Sequence, residues 1–569
     1  MNSPHKLSTP RYVLGIDFGT LSARAVLVDV ANGEVCASAV ESYPHGVMEE
    51  ILDEGKVPLP PQTALQDPSD YWRALRRTIQ AVLKKSKVSP NSIVGLGTDF
   101  TCSTVLPTDK EGVPLCLKPQ FRQEPHAYVK LWKHHASQPE ADLINAMAAK
   151  RNEDFITAYG GRYSSEWLVS KVLETVRKAP EVHRAADRWI EAGDWIIWKL
   201  TGVECRGVSA SGFKAMRVVQ GANATDAEYP DSIFFAKLHP DLSTLVEKHL
   251  AAPHLKPGAC AGHLTATAAK HLGLPVGIPI AVGNIDAHAA VLGCGVGEPG
   301  RLVMIMGTSS CHLLLAKNGR RIPGICGVVQ DGVMDGLWAY EAGQAGVGDM
   351  LAWFVENNLP ASLTREARGF QGGIHGLLSD RAAQLKVGQS GLLALDWWNG
   401  NRSVLMDADL SGLLVGLTIQ TKPHEIYRAL IEGIAFGTRK IIDAFTSNKI
   451  TVREVVACGG LATKNNLILQ IYADVIGHPI QLAAAPEASA LGSAIFGAVA
   501  AGVYPTTSSA IRSMTKPPIK TFIPNKENHR KYDLLYKEYT RLHDYFGASA
   551  ASPMKRLRNL QRASLSSNQ

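Results

Sequence analysis

Tyr12-Val-Leu-Gly-Ile-Asp-Phe-Gly-Thr20 runs directly into Leu21-Ser-Ala-Arg-Ala-Val-Leu-Val28, and Asn32-Gly33 then leads to Val35–Val40. Two short apolar runs joined at Gly19-Thr20, with a third reached through Asn-Gly, predict an antiparallel meander. Working outward, Asp70–Lys85 carries Trp72, Leu75, Ile79, Val82 and Leu83 at helical spacing, with Ser69 as the expected N-cap. Ser92–Leu96 then reads as a strand ending in Gly97-Thr98-Asp99. Meander, helix and strand together open an α/β fold. The opening recurs: Leu302-Val-Met-Ile-Met306 meets Gly307-Thr308-Ser-Ser310, then His312-Leu-Leu-Leu-Ala316, then Asn318-Gly319. A repeat on this scale predicts two related domains facing one cleft; the alternative is chance likeness of one hairpin. Long helices over Pro423–Ser447 and Lys464–Ile476 flank a strand, Val452–Cys458, that runs into Gly459-Gly460.

A length of 569 residues suits two to four domains, and 45% apolar with 20% charged residues excludes a largely disordered chain. The formal charge of +7 is local. Residues 511–569 hold twelve Lys/Arg against four Asp/Glu, leaving 47 positives and 48 negatives elsewhere. A neutral body with a basic end has no electrostatic footprint for nucleic acid. No apolar run approaches the length of a membrane span, and the N-terminus has no apolar signal core, so a cytoplasmic protein without a membrane partner is expected. The nine cysteines show no C-x-x-C, which suggests neither a disulfide framework nor a zinc site. The Ser-rich end, with Lys555, Arg556, Arg558 and Arg562, is expected to be disordered.

No Walker-type glycine loop occurs, and Gly295-Val-Gly-Glu-Pro-Gly300 leads into a strand, so it fails as a dinucleotide fingerprint. What remains is Gly-Thr and Gly-Gly turns, which expose backbone N–H groups and hydroxyls that can surround a polyphosphate or simply reverse the chain. Asp17 beside Gly19-Thr20 can serve a phosphate-bound Mg²⁺ or cap the turn. Asp286, in Ile280-Ala-Val-Gly-Asn-Ile-Asp-Ala-His-Ala-Ala290, reads either as a carboxylate aimed into a crevice or as a helix N-cap. His288 reads as a satisfied histidine at a helix start, and Lys214 and Glu341 as ordinary surface residues.

Taken in order, Asp17–Arg24, Gly283–His288, Met306–Thr308, Ala457–Gly460 and the stretch from Gly412–Leu417 through Glu425–Glu432 resemble the FGGY family of carbohydrate kinases. The resemblance covers about Tyr12 to Tyr504. Gly97–Thr101, Tyr163–Trp167, Ser211–Lys214 and Tyr340–Gln344 look like the ribulokinase branch of that family rather than its glycerol kinases or xylulokinases. Cys102-Ser103 departs from the smaller residues usual at that wall.

The resemblance implies two actin-like ATPase (ribonuclease H-like) domains around a central cleft. An N-terminal sugar-binding domain is expected over 10–296, a C-terminal ATP-binding domain over 297–505, a helical extension over 506–549 and the basic tail over 550–569. It implies ATP-dependent phosphorylation of L-ribulose to L-ribulose 5-phosphate, in arabinose catabolism, with Asp286 as general base. Cys102, Lys214 and Glu341 join Asp286 as sugar contacts, and Asp17 serves Mg²⁺. Thr20 with Arg24 form one phosphate loop and Gly307-Thr308 the other. Gly459, Gly460 and Asn465 match the adenosine site, with Gly348 and Gly492 beside it. The partner is a small ketopentose, and a homodimer is the candidate assembly. Alternatives are a kinase for D-ribulose, xylulose or another ketose, and a non-catalytic ATP-dependent binder on the same scaffold.

Overall fold

The computed structural model describes residues 11–219, 226–549 and 552–566. Strands β1 (Tyr12–Phe18), β2 (Ser22–Asp29) and β3 (Val35–Ser42) form the expected meander. Helix α1 (Pro68–Ser86) follows, capped by the Asp67 side chain on the Ser69 N–H rather than by Ser69 itself. Pro68 explains the shift, because proline fits the first helical position and so places the cap at Asp67, two residues upstream of Ser69. Strand β4 (Ile93–Phe100) lies parallel to β1. After helix α2 (Val208–Lys214), strands β5 (Cys260–His263), β6 (Pro279–Ala281) and β7 (Asn284–Ile285) complete the sheet. Its order is β5-β6-β4-β1-β2-β3, with β7 beside β4.

Helix α3 (Asp286–Gly293) leads out of this half. Strands β8 (Arg301–Met306), β9 (Ser310–Ala316), β10 (Gly327–Gln330) and β11 (Trp338–Gln344) open the next. Helices α4 (Gly348–Asn357) and α5 (Pro423–Ser447) precede β12 (Glu454–Cys458), α6 (Asn466–Ile476), β13 (Ile480–Leu482), α7 (Ala488–Ala500) and β14 (Lys520–Phe522). The second sheet runs β14-β13-β12-β8-β9-β11-β10. Superposing β1 on β8 matches six strands in order, and every pairing direction agrees: antiparallel hairpin on one side, two parallel neighbours and an antiparallel edge on the other. The Gly-Thr hairpins are therefore equivalent parts of two related sheets.

Helices α3 and α7 cross between the sheets within one apolar core that includes Val13 and Val26 of the first sheet and Val303 and Leu313 of the second. The crossing is made by bare backbone. A Cβ at Gly492 would sit 1.8 Å from the Ala289 carbonyl oxygen, and one at Gly293 2.0 Å from that of Ala488. Gly97 of β4 would meet the Ser493 oxygen at 2.0 Å in the same way. Gly492 thus has a packing role at this crossing.

Two further expectations change. Residues 506–549 are not purely helical, since β14 forms the edge of the second sheet before helix α8 (Lys526–His543) packs on α6. The tail, expected to be disordered, forms helix α9 (Pro553–Ser566). Met554 is buried, and Lys555 and Arg562, two helical turns apart, pair with Asp407 and Asp409. Residues 550–551 and 567–569 lie outside the described residues. Among the described residues no helix is long and apolar enough to cross a membrane.

A Gly492→Val protein is expected to lose about 3 kcal/mol of stability or to fail to fold, because backbone cannot yield as a side-chain tip can. Chemical denaturation beside Gly502→Val, where open space surrounds the glycine, reads this. Gly502 has φ +66, so its own loss reports backbone strain alone. Equal losses at the two sites would contradict the packing role.

Candidate active site

Parallel pairing of β1, β4 and β7 brings their C-terminal ends together, and a carboxyl sits at each. Asp17 and Asp99 are direct register partners, and Asn284 pairs with Asp99 two residues before Asp286. Asp99 is fully buried: its Oδ2 accepts a hydrogen bond from Ser493 Oγ of α7, and its Oδ1 has no donor. Burial pushes the Asp99 carboxyl well above its ordinary range, and the neighbouring Asp17 and Asp286 push it further. Asp17 is also raised by burial, against a hydrogen bond with Asp99 and the pull of Arg24. Two such carboxyls side by side require a proton or a cation between them. An orphaned buried oxygen among three like-charged groups suits a hard, oxygen-binding ion. Among the described residues no group of three or more side chains could hold a metal by itself, so phosphate oxygens or water would complete its shell.

Asp286 is half-buried at the first residue of α3, where its Oδ1 accepts the Ala287 N–H at 2.7 Å. Burial and the Asp17 charge raise its carboxyl to about 7; the Ala287 N–H opposes this, Glu341 adds to it and Lys214 again opposes. It is not the helix cap, a position that Ile285 holds. A carboxyl that gains and loses its proton near neutrality is suited to proton transfer.

Opposite it, Lys214 and Glu341 are buried rather than superficial. Lys214 Nζ donates to both oxygens of Glu341, at 2.8 and 2.9 Å, joining α2 of the first half to β11 of the second. His288 Nε2 lies 3.2 Å from Glu341 Oε2, and its Nδ1 lies 2.7 Å from Ser209 Oγ. Burial lowers the His288 pKa, so the neutral ring can donate to Glu341 from Nε2 and accept from Ser209 at Nδ1. Arg402 makes a further bond to Glu341. Against the cost of burial, these neighbours hold Glu341 well below the usual carboxylate range, and Glu341 holds Lys214 above its own. Trp167 lies under the Lys214 ammonium, 5.5 Å from ring centroid to Nζ. Cys102 belongs to the same cluster; burial lifts its thiol to about 12 although Lys214 pulls it down, so it presents a neutral S–H. Ser103 beside it has φ +56.

The turns line the other side. Gly19 N–H bonds the Ser22 carbonyl, closing the first loop, and Thr20 Oγ1 accepts from Trp132 Nε1 at 3.1 Å. Arg24 lies 3.8 Å from Asp17 and 2.7 Å from Glu487, so it links the first loop to the start of α7. Gly307 and Thr308 are exposed, and their carbonyls accept the N–H groups of Val347, Gly348 and Asp349 at the start of α4. A Cβ at Gly348 would lie 2.6 Å from the Gly307 oxygen; Gly459, at φ +93, would lie 2.5 Å from the Met306 oxygen. These glycines hold the second loop, while open space surrounds Gly460. Asn465 Oδ1 caps α6 through Leu467 and Ile468, and its Nδ2 bonds Ser379 Oγ at 2.7 Å. Sequence reasoning gave no role to Asp99 or Arg402. An acidic residue inside the Gly97–Phe100 strand end was the available signal for the first, and none marked the second.

The model of the FGGY family of carbohydrate kinases matches twice, its N-terminal domain over residues 12–293 and its C-terminal domain over 302–501. A ribulokinase from Geobacillus thermodenitrificans is 50% identical over 553 residues, covering 96% of this chain and 97% of the relative. One from Mycolicibacterium smegmatis is 47% identical over 555 residues, with 96% of each covered. A ligand-bound xylulose kinase structure from Lactobacillus acidophilus superposes with a TM-score of 0.77 at 19% identity, over 95% of this chain and 99% of that one. A gluconate kinase from the same species gives 0.77 at 18%, again over 95% and 99%.

Replacing Asp286 by Asn removes a carboxyl whose folded value, about 7, exceeds the unfolded value of about 3.9. Below pH 4 both states hold the proton and the carboxyl costs nothing. Between about 4 and 7 the unfolded chain ionises this carboxyl while the folded state keeps its proton, so the cost grows across that window and is complete above about 7, where both are ionised. Asp286→Asn is therefore expected to raise the thermal midpoint most at pH 8 and hardly at all near pH 4. A pH-independent difference would contradict the assignment.

Proposed function

Because the chain belongs to the FGGY family of carbohydrate kinases, we propose that it transfers the terminal phosphoryl group of ATP to L-ribulose, giving L-ribulose 5-phosphate, with Asp286 as general base. The observation that carries the reading is the position of Asp286, a half-buried carboxyl titrating near 7 between the Lys214–Glu341 cluster and the Asp17–Asp99 pair. The relatives named ribulokinase, similar over nearly the whole chain, support the choice of sugar.

The cluster supplies what a polyhydroxy ketone needs. Glu341 accepts from hydroxyls, while Lys214 donates to a hydroxyl or the keto oxygen, and Cys102 shapes the wall beside them. An isomer that misplaces one hydroxyl leaves a buried charge without its partner, which discriminates more strongly than shape alone. Asp286 removes the proton of the hydroxyl that attacks, and the turns at Gly19-Thr20 and Gly307-Thr308, with Arg24, receive the phosphate oxygens. Gly459 and Gly460 give the adenosine side room for close backbone approach. Asp17 and Asp99 are the residues that would hold Mg²⁺, which when bound neutralises charge on those oxygens. The two turns belong to separate halves, so closure on the sugar aligns them and excludes water. ATP as donor makes the cytoplasm the place of action.

Coupled ADP detection with L-ribulose, D-ribulose, xylulose and ketohexoses tests this reading. L-Ribulose is expected to give the highest kcat/KM, and a higher value for any other sugar would replace it as substrate. ATP hydrolysis without sugar is expected to be slow; hydrolysis at the full kinase rate would refute closure. Asp286→Asn is expected to lower kcat by roughly 10² or more with ATP affinity nearly unchanged. The wild-type rate is expected to rise with pH through about 7 as Asp286 loses its proton. Near wild-type turnover in folded Asp286→Asn would remove Asp286 from the mechanism.

A further inference from the structure

Glu341 is held from the first half by Lys214 and from its own half by Arg402, and Arg402 stands on an irregular loop before α5. That loop is rigid at its inner edge. Asn401 and Asp407 exchange backbone hydrogen bonds of 2.9 and 2.8 Å, and Asn401 Oδ1 accepts the Leu405 N–H at 2.9 Å. Ser403 Oγ accepts the Gly343 N–H at 3.2 Å, which ties the loop to β11 two residues past Glu341. Gly343 also leaves the lane for the arginine, since a Cβ there would lie 3.2 Å from Arg402 Nη1.

The outer edge of the same loop carries Asp407 and Asp409, and the tail helix meets both. Lys555 Nζ lies 2.6 Å from Asp407 Oδ2, and Arg562 bonds both oxygens of Asp409, at 2.5 and 3.2 Å. The segment just before α9 presses on the loop as well, where Gly547 leaves room for Leu405: a Cβ on it would lie 2.3 Å from Leu405 Cδ1. On a third side Arg162 of the first half donates to the Met406 carbonyl at 3.4 Å. The loop is a plate with the sugar cluster on one side and the basic tail on the other.

We propose that Arg402 is a positioning residue for Glu341 and that the tail helix clamps the loop carrying it, so that sugar affinity depends on residues beyond Ser552. The activity readout rests on the sugar-kinase reading above. Loosening the clamp leaves the phosphate turns untouched, because Gly307, Thr308 and Gly459 are held by α4 and β8 and not by this loop. The signature is a rise in the KM for ketose with the KM for ATP unchanged.

The full-length Lys555→Glu/Arg562→Glu protein tests the clamp, since it reverses both pairs, the half-buried Lys555–Asp407 and the exposed Arg562–Asp409. The KM for L-ribulose is expected to rise about five-fold, the scale of such surface pairs, with the KM for ATP within about two-fold. Adding Asp407→Lys/Asp409→Lys restores the opposite charges and is expected to restore the ketose KM. Arg402→Gln is expected to raise the ketose KM more than Arg402→Lys, which keeps a cation near Glu341. An unchanged ketose KM in the reversed protein, or a raised one that the swap fails to rescue, would overturn the proposal. Hydrogen exchange of residues 401–410 and 339–343 separates this from failure of the sugar reading. Faster exchange in the reversed protein supports the clamp even if no ketose is phosphorylated, and unchanged exchange overturns it.

Discussion

The close backbone contact between α3, α7 and the first sheet is the constraint on which the rest of the molecule depends. Gly15, Gly97, Gly293 and Gly492 each face a carbonyl oxygen where a Cβ would stand about 2 Å away. Without these contacts α7 would stand off the sheet, and Ser493 could not reach Asp99. The same approach sets the start of α3, and with it the place of Asp286 at the end of β7. Steric fit in the core thus determines electrostatics at the surface of the cleft.

The site divides its charge by side. Asp17, Asp99 and Asp286 gather negative charge where parallel strands end, and all three carboxyls are raised by burial. Lys214 and Arg402 gather positive charge around Glu341, whose carboxylate is held ionised by them. Asp286 lies between the two fields; burial, with the charge of Asp17, raises it to about 7, and Lys214 opposes the rise. A carboxyl placed in this way responds to changes in either cluster.

The meander, the repeated hairpin, α1, α5 and β12 were legible because periods of two and 3.6 survive in a single chain. The repeat was readable from two Gly-Thr turns because each sheet begins with the same pair of strands. Asp286 could be placed at a strand end, but only its neighbours decide its acidity. Asp99 showed in the sequence only as an acidic residue at a strand end, since its setting comes from register with Asp17 about eighty residues earlier. Arg402 stands in a loop without periodicity, and its partner Glu341 comes from another strand. The cap made by Asn465 and the helix crossing at Gly492 were not legible for a related reason: a cap and a helix crossing use the same small or amide residues as a nucleotide pocket. The tail was judged by its serines and charges, while the Asp pair that orders it lies about 150 residues earlier.

The matched six-strand sheets have a consequence for how such a chain can change over generations. The halves descend from one pattern, yet α7, drawn from the second, is the helix that completes the core of the first. Ser493 of one half bonds a carboxyl of the other, and Lys214 of one neutralises Glu341 of the other. Recombination at the midpoint would therefore deliver two pieces with mismatched backbones at every glycine contact. What began as a modular duplication has become a single heritable unit, free to vary at its loops but not to exchange its halves.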